Sequence, residues 1–220
     1  MARLDPRIEV LEEHVVGEDE FTLSSYARVR IGDPAQRWFR PLIVREIKPA
    51  LHHDRALARR FRDRLTELAP TSHHPSTFGI YQPPGVVGDP VAVFECFAGY
   101  WLPDVLAAKA QSALQMPDVL VERILSAVEA ALRITHQQRI PHGDLRMSRV
   151  FITYDGTVKL ELGAPWDTRA NLPDDWRRFV GLRASLAGAA ALGTDPGPAD
   201  MVAFTRAVCG DPGFPVARPR

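Results

Sequence analysis

Eleven residues hold the chain's most reactive grouping: His142-Gly143-Asp144-Leu145-Arg146-Met147-Ser148-Arg149-Val150-Phe151-Ile152. An imidazole, a carboxylate and two guanidiniums precede a short apolar run, and another carboxylate, Glu161, follows. A carboxylate can take up a proton, and a guanidinium neutralises an oxyanion at a fixed, planar geometry. Metal chemistry is less well supplied. The adjacent histidines at 52–53 and 73–74 have no cysteine or carboxylate pattern to complete a ligand set.

The flanking sequence predicts what must hold this segment. A helix opens at Pro117-Asp118, with Leu120, Ile124, Ala127, Val128, Ala131 and Leu132 at helical spacing. It ends just before the segment, at Thr135-His136-Gln137-Gln138-Arg139-Ile140-Pro141. Residues 150–152 and 158–160 flank Asp155-Gly156, a hairpin signal. Asp174-Asp175 is expected to cap an apolar helix reaching about residue 192, and residues 199–209 form a last short helix. Residues 102–114 are also predicted helical.

The first half reads differently. Residues 8–16, 24–31 and 40–47 are short β-rich runs, with Gly32-Asp33-Pro34 a turn between the last two. A helix is predicted over 54–68 from Ala56, Leu57, Phe61, Leu65 and Leu68. Short strands fit 77–81 and 91–95. Periodicity alone therefore gives an α+β chain, strands first and helices second.

In this order the motifs resemble those of a protein kinase, most closely the bacterial serine/threonine type. His142 to Ile152 matches H-R-D-L-K-x-x-N-V-x-I, and Val158-Lys159-Leu160-Glu161-Leu162-Gly163 matches V-K-L-x-D-F-G with one residue deleted. The resemblance puts Asp144 at the catalytic base, makes His142 a catalytic-loop candidate beside it and puts Arg146 near the γ-phosphate; the plainer reading keeps His142 and Asp144 as scaffold for neighbouring loops. Arg149 stands where a magnesium-binding Asn belongs, and Gly143 replaces an Arg. H-G-D also occurs in aminoglycoside and choline kinases. Glu161 is the weak candidate for a metal ligand; counted without a gap, the position falls on Leu162.

Leu42-Ile43-Val44-Arg45-Glu46-Ile47-Lys48-Pro49 matches V-A-L-K-V-L-R-P, which puts Arg45 at the phosphate-gripping lysine and leaves Lys48 as fallback. Either would otherwise be a surface cation. Arg64 falls where the helix glutamate should pair with that lysine. Of the glycine-rich loop only Gly17 is left, followed by Glu18-Asp19-Glu20, whose like charges oppose a triphosphate. Residues 91–99 resemble V-x-V-M-E-Y-V-x-G, making Glu95 and Phe97 the hinge positions against an adenine. Asp174-Asp175-Trp176 matches a D-x-W helix opening. His74-Pro75 resembles the H-P that follows the kinase αC helix.

The resemblance implies a two-lobed protein-kinase-like fold with a β-rich N-lobe over 1–95, a trimmed helical C-lobe over 96–212 and a tail over 213–220. Four chemical parts are missing together: the glycine loop, the ion pair, the Asn and the D-F-G Asp. The expectation is a pseudokinase acting as a protein-binding, scaffolding or regulatory subunit. The alternatives are a divergent ATP-dependent phosphotransferase using Asp144, and a non-catalytic nucleotide-binding regulator. No cofactor is expected; ATP is the one ligand left open, and magnesium is disfavoured.

Twenty-seven Lys and Arg balance 27 Asp and Glu, so net charge gives no reason to expect nucleic-acid or membrane binding. The basic stretch from Arg45 to Arg64 suggests an acidic protein partner. Two distant cysteines and no signal-peptide-like apolar start point to a reducing, cytoplasmic setting.

Overall fold

Leu42 and Val44 on one side of a strand, and Ile43 and Arg45 on the other, set the pattern of the first half. The computed structural model describes residues 8–31, 38–82 and 90–210. Gly32-Asp33-Pro34, the Pro83-Pro84 pair and the tail from 213 lie outside the described residues. Strands β1 (Ile8–Glu18), β2 (Thr22–Ile31), β3 (Trp38–Ile47), β4 (Ile80–Gln82) and β5 (Val91–Glu95) form one antiparallel sheet in the order β1-β2-β3-β5-β4. One face buries Ala27, Val29, Leu42, Val44, Val91 and Val93 together. Helix α1 (Arg55–Leu68) starts where Asp54 accepts the Leu57 N–H at 2.8 Å. It buries Leu57, Ala58, Phe61, Leu65 and Leu68 and leaves its arginines on the other side.

The described residues form two compact units, one holding those up to His73 together with those from Phe78 to Phe97, the other His74–Thr77 together with those from Ala98 to Gly210. The short excursion has a local cause: Lys159 Nζ donates to the carbonyls of Pro75 (2.9 Å) and Thr77 (3.1 Å), and Leu160 N donates to Ser76 O (2.8 Å). Thr77 thus bridges Leu160, and the strand expected over 77–81 forms only as β4.

The second unit contains β6 (Gly99–Trp101), α2 (Leu102–Ala110), β7 (Leu114–Gln115), α3 (Asp118–Gln137), β8 (Val150–Thr153), β9 (Val158–Leu160), α4 (Leu172–Ala190), β10 (Asp195–Pro196) and α5 (Met201–Cys209). Its core joins α2, α3, α4, α5 and the β8–β9 hairpin, with Ile124, Val128, Leu132, Val150, Ile152, Leu186 and Phe204 all buried. Asp155 turns the hairpin by accepting the Thr157 N–H at 3.0 Å, and Gly156 supplies the positive φ of 78°.

Boundaries in this unit also differ from the sequence reading. Helix α2 stops at Ala110, because the Ser112 hydroxyl donates to Lys109 O at 2.8 Å and accepts the Leu114 N–H at 3.3 Å. The freed residues pair as β7 with β10. Helix α4 begins two residues before Asp174, with Asn171 as its cap accepting the Asp174 N–H at 3.0 Å. Its far end is held by buried Lys109, whose Nζ donates to Ala189 O at 2.8 Å and to Leu192 O. No helix among the described residues is long and apolar enough to cross a membrane.

Candidate functional site

The residues after α3 are held from below by one carboxylate. Asp175, in the first turns of α4 and 1% exposed, accepts the backbone N–H of His142 (2.7 Å) and of Gly143 (3.0 Å). Its Oδ2 also meets His136 Nε2 at 2.8 Å. Buried backbone donors must find acceptors, so Asp175 fixes the course of the loop. The D-x-W frame pointed to Asp174, which instead lies near the surface with Asn171 and Arg177.

His142 is 1% exposed, and its protonation state follows from its partners. Nε2 lies 2.7 Å from the Glu161 carbonyl, which can only accept, while Nδ1 faces the Asp144 N–H, which can only donate (3.3 Å). The ring is therefore the neutral Nε2–H tautomer. Burial pushes its pKa down from 6.5 to about 4, against the opposing pull of the Glu161 carbonyl and Asp175. A depressed histidine stabilises the fold above pH 6.5 and loses that contribution as pH falls towards 4. Denaturant unfolding at pH 7 and pH 4.5 should differ by about 2–3 kcal/mol from this ring alone. His142→Asn should remove about one proton from the slope; an unchanged slope would mean another group is responsible.

Gly143 and Gly163 explain themselves by contact. Gly143 has φ +82°, and a Cβ there would lie 2.6 Å from Ala164 O. A Cβ on Gly163 would come within 2.4 Å of His142 O. The Arg expected by the motif at 143 would meet the same obstruction.

Above this scaffold, Asp144, Arg149 and Glu161 form one ionic group. Arg149 donates to Asp144 Oδ2 through Nε (3.0 Å) and Nη2 (2.7 Å), and to Glu161 Oε2 through Nη1 (2.8 Å). Glu161 N also donates to Arg149 O at 2.7 Å, so backbone and side chain both join β9's end to the loop. The Arg149 side chain is 9% exposed. Burial alone would lower its pKa, but the carboxylates of Glu161 and then Asp144 outweigh it and hold the guanidinium above its ordinary value. Arg146 Nη2 lies 2.8 Å from Asp144 Oδ2, and Arg178 Nη1 lies 3.8 Å from Oδ1. Among the described residues, three guanidiniums thus approach Asp144, and one of them, Arg149, also holds Glu161. Magnesium needs anionic oxygens in near-octahedral array. The residues present do not fit it, because a tethered cation already bridges both carboxylates.

The other candidates lie in the β-rich unit. Gly17 pairs with Ser24, and Asp19 closes the following turn by accepting the N–H groups of Phe21 (2.9 Å) and Thr22 (2.7 Å). Arg45 is 3% exposed; its Nε donates to Ser24 Oγ at 3.0 Å, and its guanidinium lies 5.6 Å from the Phe94 ring centroid. A cation buried in this way is no surface charge, which corrects its place in the proposed acidic-partner face. Arg64 pairs with Glu67 at 3.1 Å and Asp63 with Arg59 at 3.5 Å, both along α1. The Glu95 side chain pairs with Arg40, and its N–H donates to Gly79 O at 2.9 Å. The Phe97 ring meets Phe78 edge-on at 5.8 Å. Beside them, burial pushes the Cys96 thiol up to about 12 and raises the Tyr26 phenol further, with Cys96 contributing.

The paired histidines do structural work: His52 Nε2 meets Ile47 O at 2.8 Å, and His74 Nδ1 accepts the Ser76 N–H at 3.1 Å. No cluster suited to a metal ion occurs among the described residues.

Fold and loop order together define a class: the chain has an α+β, two-lobed protein-kinase-like fold. Solved structures with this fold include the kinase domain of Mycobacterium tuberculosis PknI, 18% identical, with a TM-score of 0.61 over 84% of this chain and 74% of that one. A double-mutant form of the same domain gives a TM-score of 0.62 at 18% identity, over 84% of this chain and 74% of that one. No protein-family profile and no curated protein sequence matches the chain. At this identity the likeness is one of fold.

Proposed function

We propose that the chain is a catalytically impaired kinase-like domain, a pseudokinase, serving as a protein-binding, scaffolding or regulatory subunit in a reducing, cytoplasmic setting. One observation carries the reading: Arg149 lies between Asp144 and Glu161, bonded to both. Proton abstraction needs Asp144 free to reach a hydroxyl. Two guanidinium nitrogens on its Oδ2 hold it instead as a structural anion. Metal-assisted transfer needs a divalent ion between phosphate and carboxylate. Here that charge is supplied by a side chain, which brings no open coordination position.

The sheet supports the same reading. Ile43 stands at the alanine of the V-A-L-K match, and its register partner on β2 is Tyr26, whose buried hydroxyl finds no hydrogen-bond partner among the described residues. Ile43 in place of alanine adds bulk to that face, and Arg45, two residues on, is buried on the same side. Thermal unfolding with ATP at about 1 mM, with and without magnesium, tests the proposal. A ligand at a hundred times its Kd would add about 2.7 kcal/mol of stability. The expected result is no shift in either condition. A magnesium-dependent shift, with turnover abolished by Asp144→Asn, would replace the pseudokinase with an active phosphotransferase. A magnesium-independent shift would favour the nucleotide-binding regulator.

A further inference from the structure

We propose that Arg146 and Arg178 form a receptor for a single oxyanion carried on a partner protein, with a phosphorylated serine or threonine as the side chain that fits. The proposal rests on reading the chain as a protein-binding subunit and says what it would bind. Asp144 needs neither arginine. Arg149 already holds its Oδ2 through two nitrogens, at 3.0 and 2.7 Å. Arg146 still reaches the same oxygen at 2.8 Å, and Arg178 stands off the other oxygen at 3.8 Å, beyond hydrogen-bond length.

Exposure separates the roles. The Arg149 side chain is 9% exposed, whereas those of Arg146 and Arg178 are 55% and 51% exposed. Neighbouring arginines have carboxylates of their own: Arg169 pairs with Asp167 at 2.8 Å, Arg133 with Glu129 at 2.6 Å, and Arg177 with Asp174. Among the described residues, Arg146 and Arg178 share one carboxylate that a buried guanidinium has already taken.

Their placement is also built. Arg178 lies on α4 three residues after Asp175, and Arg146 lies in the loop three residues after Gly143, whose N–H Asp175 accepts at 3.0 Å. A single carboxylate therefore ties together the two segments that present these guanidiniums. Arg146 lies 2.8 Å from one oxygen of Asp144 and Arg178 3.8 Å from the other, so both guanidiniums converge on the surroundings of one carboxylate. A phosphomonoester offers three strong acceptor oxygens and up to two charges, which suits two exposed guanidinium forks. The acid-recognising surface is thus placed in the helical unit rather than along the Arg45–Arg64 stretch.

The test uses the full chain and NMR of the arginine Nε–H groups at constant ionic strength. The probes are the blocked tripeptide Ala-phosphoserine-Ala, its serine and glutamate counterparts, and inorganic phosphate. Saturable shifts at Arg146 and Arg178 with the phosphoserine peptide are expected, absent with the serine peptide. Arg178→Gln and Arg146→Gln should each weaken binding about tenfold, the loss of one charge-assisted contact. Shifts that ignore both variants, or no saturation, would overturn the inference. Binding of inorganic phosphate with exclusion of the peptide would overturn it in favour of a free small anion. Magnesium-ATP turnover would refute the pseudokinase reading, whereas absent peptide binding in a chain without turnover would refute this inference alone.

Discussion

Arg149→Met should lower the stability of the chain by about 3 kcal/mol, the lower end of the range for breaking a buried ion pair. The side chains of Asp144 and Glu161 are 17% and 18% exposed, so water screens part of the repulsion that the lost cation leaves behind. For a chain of this size the loss corresponds to a fall in unfolding midpoint on the order of 10 °C. Two further variants separate charge from packing. Adding Asp144→Asn and Glu161→Gln to Arg149→Met removes the two negative charges that Arg149 bridged and should recover part of the loss. Arg149→Asn replaces a cation with an amide oxygen beside two carboxylates, an oxygen-donor set that suits a divalent ion. That variant should be destabilised in chelator and partly recovered by millimolar magnesium, while the natural chain shows no response. A loss below about 1 kcal/mol on Arg149→Met would place the guanidinium at the periphery and remove the central support for the pseudokinase reading.

Asp175→Ala should be comparably damaging for a different reason. It leaves the N–H groups of His142 and Gly143 without their acceptor, and His136 without its partner. Each orphaned buried donor costs about 1–3 kcal/mol, so a total of about 3–5 kcal/mol is expected. Asp175→Asn discriminates mechanism from volume. Its amide oxygen can accept on one side only, and its NH₂ then confronts a donor, so the variant should retain little of the lost stability despite nearly equal size. Denaturant midpoints report the loss, and Trp176 fluorescence reports the site, since its ring meets His136 edge-on at 5.4 Å. If Asp175→Asn were as stable as the natural chain, the two backbone donors would have to be satisfied elsewhere.

Much of this architecture is legible in the residues, for physical reasons that differ by element. Helix α3 shows because its buried positions recur at helical spacing over 20 residues. The β8–β9 hairpin shows because Asp155-Gly156 admits one tight turn. The loop from His142 to Ile152 shows because its matched positions are contiguous. The D-F-G frame was ambiguous between Glu161 and Leu162, since one deleted residue cannot be located from a motif alone. Hydrogen bonding brings Glu161 to Arg149. Two adjacent carboxylates at 174 and 175 posed a similar choice, and the rotation of α4 gives the anchoring role to Asp175. Asn171, three residues before Asp174, was a readable cap signal that would have moved the helix start. Arg45 carried two readings, a phosphate-gripping cation and a surface charge, and its burial was not legible because a sequence does not display the strand register that brings Ser24 opposite it.

The cation at the centre of the loop belongs to the polypeptide. A bound metal ion obeys mass action: its occupancy follows its concentration, falls with chelation and varies with every nucleotide that competes for it. A guanidinium attached to residue 149 has an occupancy of one under all those conditions. In a kinase the state of this loop is a readout of magnesium and nucleotide supply. If the chain is the pseudokinase proposed above, the same backbone is uncoupled from that supply, and a partner meets one surface whatever the energy status of its surroundings.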